Sequence, residues 1–214
     1  MDNILEINDL KDFDYSKINL GNPTLSGSNY YTKISITKFD KNLYLQLPKC
    51  ISKQGIVKSS NKQYIDIMYS STETDIITWF ENFEQYLQNE ILKNSSLWFE
   101  SPITLDDIQE LTVPLMRTYK SGKYFLIRCN IKNNFRLYDE DENELSLDKI
   151  LNTTELVPLL LVNGIKFSSK MFQFELVLSQ SMLIKSSEDL EKNCLIKNIK
   201  KYNKDIKNKD IKNK

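Results

Sequence analysis

Hydrophobic and polar residues alternate singly along "NYYTKISITKF", where Tyr31, Lys33 and Ser35 are set against Thr32, Ile34 and Ile36. Successive side chains of a strand face opposite ways, so this period of two predicts β-structure. "NLYLQLPKC" repeats the pattern with Leu43, Leu45 and Leu47 on one face, and Pro48, which has no N–H to give to a ladder, ends it. "ISKQGIVKSSNKQYIDIMYSS" predicts a turn centred on its glycine and a further pair of strands, antiparallel like the others.

At Ser71 the period changes. "STETDIITWFENFEQYLQNEILKNSS" sets Ile76, Phe80, Phe83, Leu87 and Ile91 at spacings of four, three, four and four. That is one apolar stripe of a helix over 74–93, with Thr72-x-x-Asp75 as its cap. Trp79, Tyr86 and Trp98 read as packing rather than as platforms for bases, because Glu81, Glu84 and Glu90 on the same helix repel phosphate.

The second half returns to strands. "KYFLIRCNI", "FRLY", "ELSL", "LVPLLLVNGIKF" and "MFQFELVLSQSMLI" predict a meander, broken by the acidic turn "DEDEN" and by a turn at Asn163 and Gly164. The predicted class is mainly β with one long helix (α+β), in a domain over 29–185. Residues 1–28 read as an irregular acidic arm. Residues 186–214, ending "NIKKYNKDIKNKDIKNK", read as a basic low-complexity tail that is disordered because it has no core to bury. The longest apolar run, Leu156 to Val162, is far short of the roughly 20 residues of a membrane helix, and the amino terminus lacks the pattern of a secretory signal.

Composition narrows the chemistry. Histidine is absent, which removes the usual general base and the commonest zinc ligand. Cys50, Cys129 and Cys194 are odd in number and never form a CxxC pair, so neither a disulfide framework nor a thiolate metal site is expected, and a reducing, intracellular compartment is the simplest setting. "YDEDENEL" lacks calcium-loop spacing and its glycine, and reads as a solvated hairpin turn. No glycine loop for phosphate and no activated nucleophile is present. The expectation is a protein without catalysis and without cofactor. The chain also lacks alanine and is rich in Asn, Lys and Ile, a bias of AT-rich genomes such as those of large DNA viruses or parasites.

Charge changes the picture most. The formal net charge is zero, yet Lys41 to Gln63 carries five lysines and no carboxylate, and Arg117 to Tyr138 carries six Lys or Arg and none. On neighbouring strands the two segments form a positive patch that phosphates find through counterion release. Alternation puts Phe125, Ile127, Cys129 and Ile131 in the core and Tyr124, Leu126, Arg128, Asn130 and Lys132 on the other face. That second face has the parts of a single-strand platform: rings for bases, cations for the backbone. Tyr119 and Lys120 extend it from the turn "YKSG"; Phe135 fits the platform or the core equally, and Arg136 lies beyond.

The order of strands, acidic amphipathic helix, basic strand pair, acidic turn and closing meander resembles the OB-fold single-stranded-DNA-binding protein of the T-odd coliphages and its counterparts in nucleocytoplasmic large DNA viruses. The likeness is carried by "SGKYFLIRCNI", "RLYDEDENELSLDKI" and "PLLLVNGIKFSSKMFQFELVLSQSMLI". It implies an OB-like five-stranded antiparallel barrel with the helix inserted, and a basic, aromatic-lined groove at Lys49, Lys53, Arg117, Tyr119, Lys120, Lys123, Tyr124, Arg128 and Lys132. With Lys58 and Arg136 these make up the candidate nucleic-acid-binding set. The family's tail is acidic and docks replication enzymes, whereas "IKNKDIKNK" is basic. The implied function is non-catalytic binding of single-stranded DNA in viral replication, recombination or repair, in the host cytoplasm or a viral factory. Replication proteins or a second copy of the chain are its candidate partners. The alternative is a virion or capsid-associated interaction protein.

Overall fold

The structure is a computed structural model that describes residues 4–6, 12–36, 41–59, 62–168 and 170–184. The expected tail and Cys194 lie outside the described residues. The first of the chain's two compact units is Met1–Ile184. In it β1 (Ile4–Glu6), β2 (Ile18–Leu20), β3 (Thr24–Ser26), β4 (Asn29–Ile36), β5 (Leu43–Gln46), β6 (Cys50–Ser59) and β7 (Lys62–Ser70) precede two helices, α1 (Thr74–Trp98) and α2 (Leu105–Leu111). After them come β8 (Thr112–Val113), β9 (Met116–Tyr119), β10 (Tyr124–Tyr138), β11 (Glu144–Leu145), β12 (Glu155–Phe167) and β13 (Phe172–Leu183). The fold is mostly β with two helices, as the α+β expectation required. No described helix is long and apolar enough to cross a membrane.

Five strands pair in a cycle. β6 pairs with β7, β7 with β10, β10 with β13, β13 with β12, and β12 back with β6. The β10–β13 pair is parallel, so the expected all-antiparallel set of five is exceeded: among the described residues thirteen strands join, and one link of the cycle runs the other way. Length and irregularity let single strands serve several partners. Along one edge β12 meets β4, β5 and β6 in succession while its other edge holds β13, with register shifts at Leu159/Leu160 and Val162/Gly164 that bend it.

Two glycines expected in turns sit inside strands instead. Asn163 and Gly164 fall within β12, and a Cβ on Gly164 would collide with the Thr32 carbonyl and the Tyr31 ring on β4. Gly55 marks the bulge in β6, where register against β7 shifts between Ser52 and Ile56. Its φ is +76°, and a Cβ there would stand 2.7 Å from the Ile150 carbonyl oxygen. Both are close backbone approaches, which local sequence presents as a turn because glycine serves either purpose. Gly55→Ala is expected to lower stability by about 1–3 kcal/mol, measurable as a shifted urea midpoint with unchanged slope.

"KYFLIRCNI" and "FRLY" are one strand, β10, rather than two. Residues 12–28, expected to be irregular, hold a 3₁₀ turn at Tyr15–Lys17 and the strands β2 and β3. Helix α1 outlasts its predicted end by a turn, and its N-cap is Glu73 rather than Thr72, without a side-chain cap hydrogen bond from Glu73. A capping box instead opens α2, where the Thr104 hydroxyl accepts from the Asp107 N–H and the Asp107 carboxylate accepts from the Thr104 N–H. Seven residues are too few for a periodic signal, so α2 escaped the hydrophobic pattern.

The stripe on α1 is the heart of the core. Ile76, Phe80, Phe83, Leu87 and Ile91 are all buried, in one cluster with Ile65, Ile67, Ile127, Leu137 and Leu160 from the strands. Trp79 is buried too and packs as expected: it stacks on Phe83 at 4.8 Å between centroids, with Phe13 and Tyr15 tilted against it. At the other end Trp98 and Phe99 lie on Phe167 and Phe172 of the β12–β13 hairpin.

Candidate nucleic-acid interface

On the cycle's β6–β7–β10 side the pleat sorts residues as the alternation predicts. Ile65, Ile67, Ile127 and Cys129 point inward with no exposure. The register sets Arg128 opposite Asp66, Asn130 opposite Tyr64 and Leu126 opposite Met68, all on the outer face. β9 continues this face past β10, with Arg117 opposite Leu126 and Tyr119 opposite Tyr124. Leu126 departs from the expected solvated face, since it is buried between those neighbours.

Asp66 lies just beyond the acid-free Lys41–Gln63 segment, and the register brings it onto the basic face. Its side chain is 2% exposed. It accepts from Arg117 Nη2 at 2.9 Å, from Arg128 Nε at 2.8 Å and from Arg128 Nη2 at 3.0 Å. Burial alone would push the Asp66 carboxyl up, yet the Arg128 hydrogen bonds and the nearby Arg117 charge hold it below the ordinary carboxylate range. Arg128 also lies 4.1 Å from the centre of the Tyr64 ring. The two arginines expected as free cations are thus tied to one carboxylate, and their side chains remain 42% and 44% exposed.

Beside them stands the tyrosine pair. Lys53 Nζ is 4.8 Å from the Tyr119 ring centre, and Lys120 Nζ is 5.6 Å from those of both Tyr119 and Tyr124. The β9–β10 connection that carries Lys120 has three consecutive residues at positive φ: Lys120 at 48°, Ser121 at 55° and Gly122 at 84°. Only the glycine takes that region without cost, so the loop holds Lys120 in a conformation that the hairpin imposes. Lys123 is exposed, and its backbone closes the turn onto Lys120 and Ser71.

At the far end of the face a groove of about 660 Å³ is lined by Lys58, Lys62, Asn130, Lys132 and Asn133, with Glu175 among them. From Tyr124 to Lys132, β10 spans about 26 Å at about 3.3 Å per residue, the reach of several nucleotides. Two members of the candidate set stand apart. Lys49 donates to both oxygens of Glu155 at 3.1 Å, and Arg136 pairs with Glu144 of the β10–β11 hairpin at 3.1 Å. Tyr64 and Asp66 were missed, and Lys62 was counted in the basic segment but not in the candidate set, because "KQYIDIMYS" reads only as a strand; its signal was a carboxylate between two inward isoleucines, legible once the register supplied Arg128.

The "DEDEN" segment is a hairpin turn, as read: the Asp139 carboxylate accepts from the N–H groups of Asp141 and Asn143 at 2.9 Å. Among the described residues no cluster of three or more His, Cys, Asp or Glu could hold a metal ion. Cys50 and Cys129 are free and buried, and burial pushes the Cys50 thiol up to about 12.

No family model and no curated protein matches the chain. Among solved structures it is similar to the single-stranded DNA-binding protein from bacteriophage Enc34, at 8% identity and a TM-score of 0.46, over 78% of this chain and 90% of that one. It is also similar to gp2.5, a single-stranded DNA-binding protein encoded by bacteriophage T7, at 8% identity and a TM-score of 0.48, over 73% and 97%. The Enc34 protein in complex with ssDNA aligns at 9% identity and a TM-score of 0.44, over 79% and 97%. At such values neither the fold nor the function of those proteins transfers to this chain.

Proposed function

We propose that this is a non-catalytic single-stranded DNA-binding protein whose five-strand cycle is an OB-like barrel and whose β6–β7–β10 face, extended by β9, is the binding surface. The observation that carries the reading is the gathering of Tyr119 and Tyr124, Lys53 and Lys120, and Arg117 and Arg128 on one outer face that runs into the lysine-lined groove. Bases stack on the two rings, which accept any base because every base has a π-face. Phosphates meet the arginines and then Lys58, Lys62 and Lys132. Such a surface binds with little sequence preference. Duplex DNA hides its bases from the rings and is the poorer ligand. Viral DNA replication, recombination or repair is the setting proposed for it.

The test is a titration of the full chain into fluorescent oligo-dT from low to moderate salt, with duplex as competitor and a version lacking residues 185–214 alongside. Each neutralised phosphate contributes about −0.7 to the slope of log K against log salt on a single strand, so roughly four to six contacts give about −3 to −4. A steep slope, preference for the single strand and survival without the tail are expected. Binding that disappears with the tail, or that duplex abolishes at equal concentration, would remove this face from consideration.

A further inference from the structure

Asp66 is a carboxylate buried on the outer face of a surface rich in Lys and Arg. A buried ion pair gives little net stability, since desolvation offsets its attraction and an apolar residue of similar size serves the core as well. It also subtracts one charge from a patch meant for phosphate. Both effects run against its presence unless it does something for the arginines. What it does is geometric: Arg128 donates two hydrogen bonds and Arg117 one to the same carboxylate, and Tyr64 covers the Arg128 guanidinium. Two long side chains that would otherwise sample many rotamers are held on one carboxylate, each with N–H groups to spare on a side chain 42% or 44% exposed.

We propose that Asp66 is the positioning residue of the interface, holding Arg117 and Arg128 as a preformed pair that takes a single phosphodiester of the bound strand between them. This rests on the single-strand reading above. The arginines lose little freedom on binding because Asp66 has already ordered them, and order of this kind raises affinity without adding a contact. A phosphate with both guanidiniums on it receives charge-assisted, forked hydrogen bonds that lysines at the same places cannot give.

The experiment turns on sign. Asp66→Asn, Arg128→Lys and the double variant are made in the full chain, and oligo-dT affinity, its salt slope and thermal unfolding are measured for each. Asp66→Asn raises the net charge by one, so a carboxylate that merely stabilises the fold leaves behind a folded protein that binds as tightly or more tightly. Positioning gives the reverse: about tenfold weaker binding with the slope no shallower. Arg128→Lys keeps the charge and loses the fork, and should weaken binding similarly. The double variant should be no weaker than either single one, since both break the same device. Tighter or unchanged binding by Asp66→Asn, or effects that multiply, overturns the proposal. Should Asp66→Asn fail to fold, Arg128→Lys decides, and unchanged affinity there overturns it. A parent chain that does not bind oligo-dT refutes the single-strand reading and this inference with it; a parent that binds while the variants behave otherwise refutes only the inference.

Discussion

Alanine at both Tyr119 and Tyr124 lowers the affinity for oligo-dT by about 2–6 kcal/mol, at about 1–3 for each stacked base, which is at least about thirtyfold in Kd. The two residues face each other across β9 and β10 and are half-buried, so neither ring is sealed in the core. Neither belongs to the buried core cluster, so the double variant should unfold close to the parent temperature. Lys53 and Lys120 lie over these rings and lose their supports in the variant, which adds to the loss. Phenylalanine at both positions keeps the stacking and should bind within about threefold of the parent. Leucine at both keeps the burial and should not. Fluorescence titration at fixed moderate salt reads all three, and an alanine pair that binds like the parent would take the tyrosines out of the site.

The parts of this arrangement that were legible in the sequence are those set by neighbours along the chain. Alternation placed Ile127 and Cys129 inside and Arg128 outside, and the four-three-four-four spacing found the buried stripe of α1. Each depends only on the pitch of one element. What was not legible depends on who lies beside whom. Arg117 and Arg128 read as free cations because Asp66 is fifty-one and sixty-two residues away in sequence, and only the β7–β10 register brings it opposite Arg128. Lys49 and Arg136 were counted with the patch for the same reason: their carboxylates, Glu155 and Glu144, come from β12 and β11. Gly55 and Gly164 misled in the other direction. Each is required by a backbone packed against it from a distant segment, Ile150 in one case and Thr32 in the other, and a glycine so placed looks locally like a turn.

Phe83→Ala is expected to cost about 3–5 kcal/mol of folding stability, about a fifth or more of what a domain typically has. Phe83 has no exposure, and its ring stacks on Trp79 at 4.8 Å with an interplanar angle of 17°. Trp79 in turn meets Phe80 edge-on at 5.1 Å and carries Phe13 and Tyr15 from the amino-terminal segment. Alanine at 83 therefore leaves a cavity in the middle of an aromatic stack, and rings this rigid close over it poorly. The melting temperature should fall by roughly 6–20 °C, at about 2–4 °C for each kcal/mol in a chain of this length. Phe83→Leu fills most of the space and should cost much less. Because α1 seals the inner side of the strands whose outer side carries Arg128 and Tyr124, the folded fraction of Phe83→Ala should still bind oligo-dT with parent affinity at low temperature. Loss of binding without loss of stability would place Phe83, and with it α1, in the interface rather than beneath it; a cost below about 1 kcal/mol would mean that the stack does not hold the helix to the sheet.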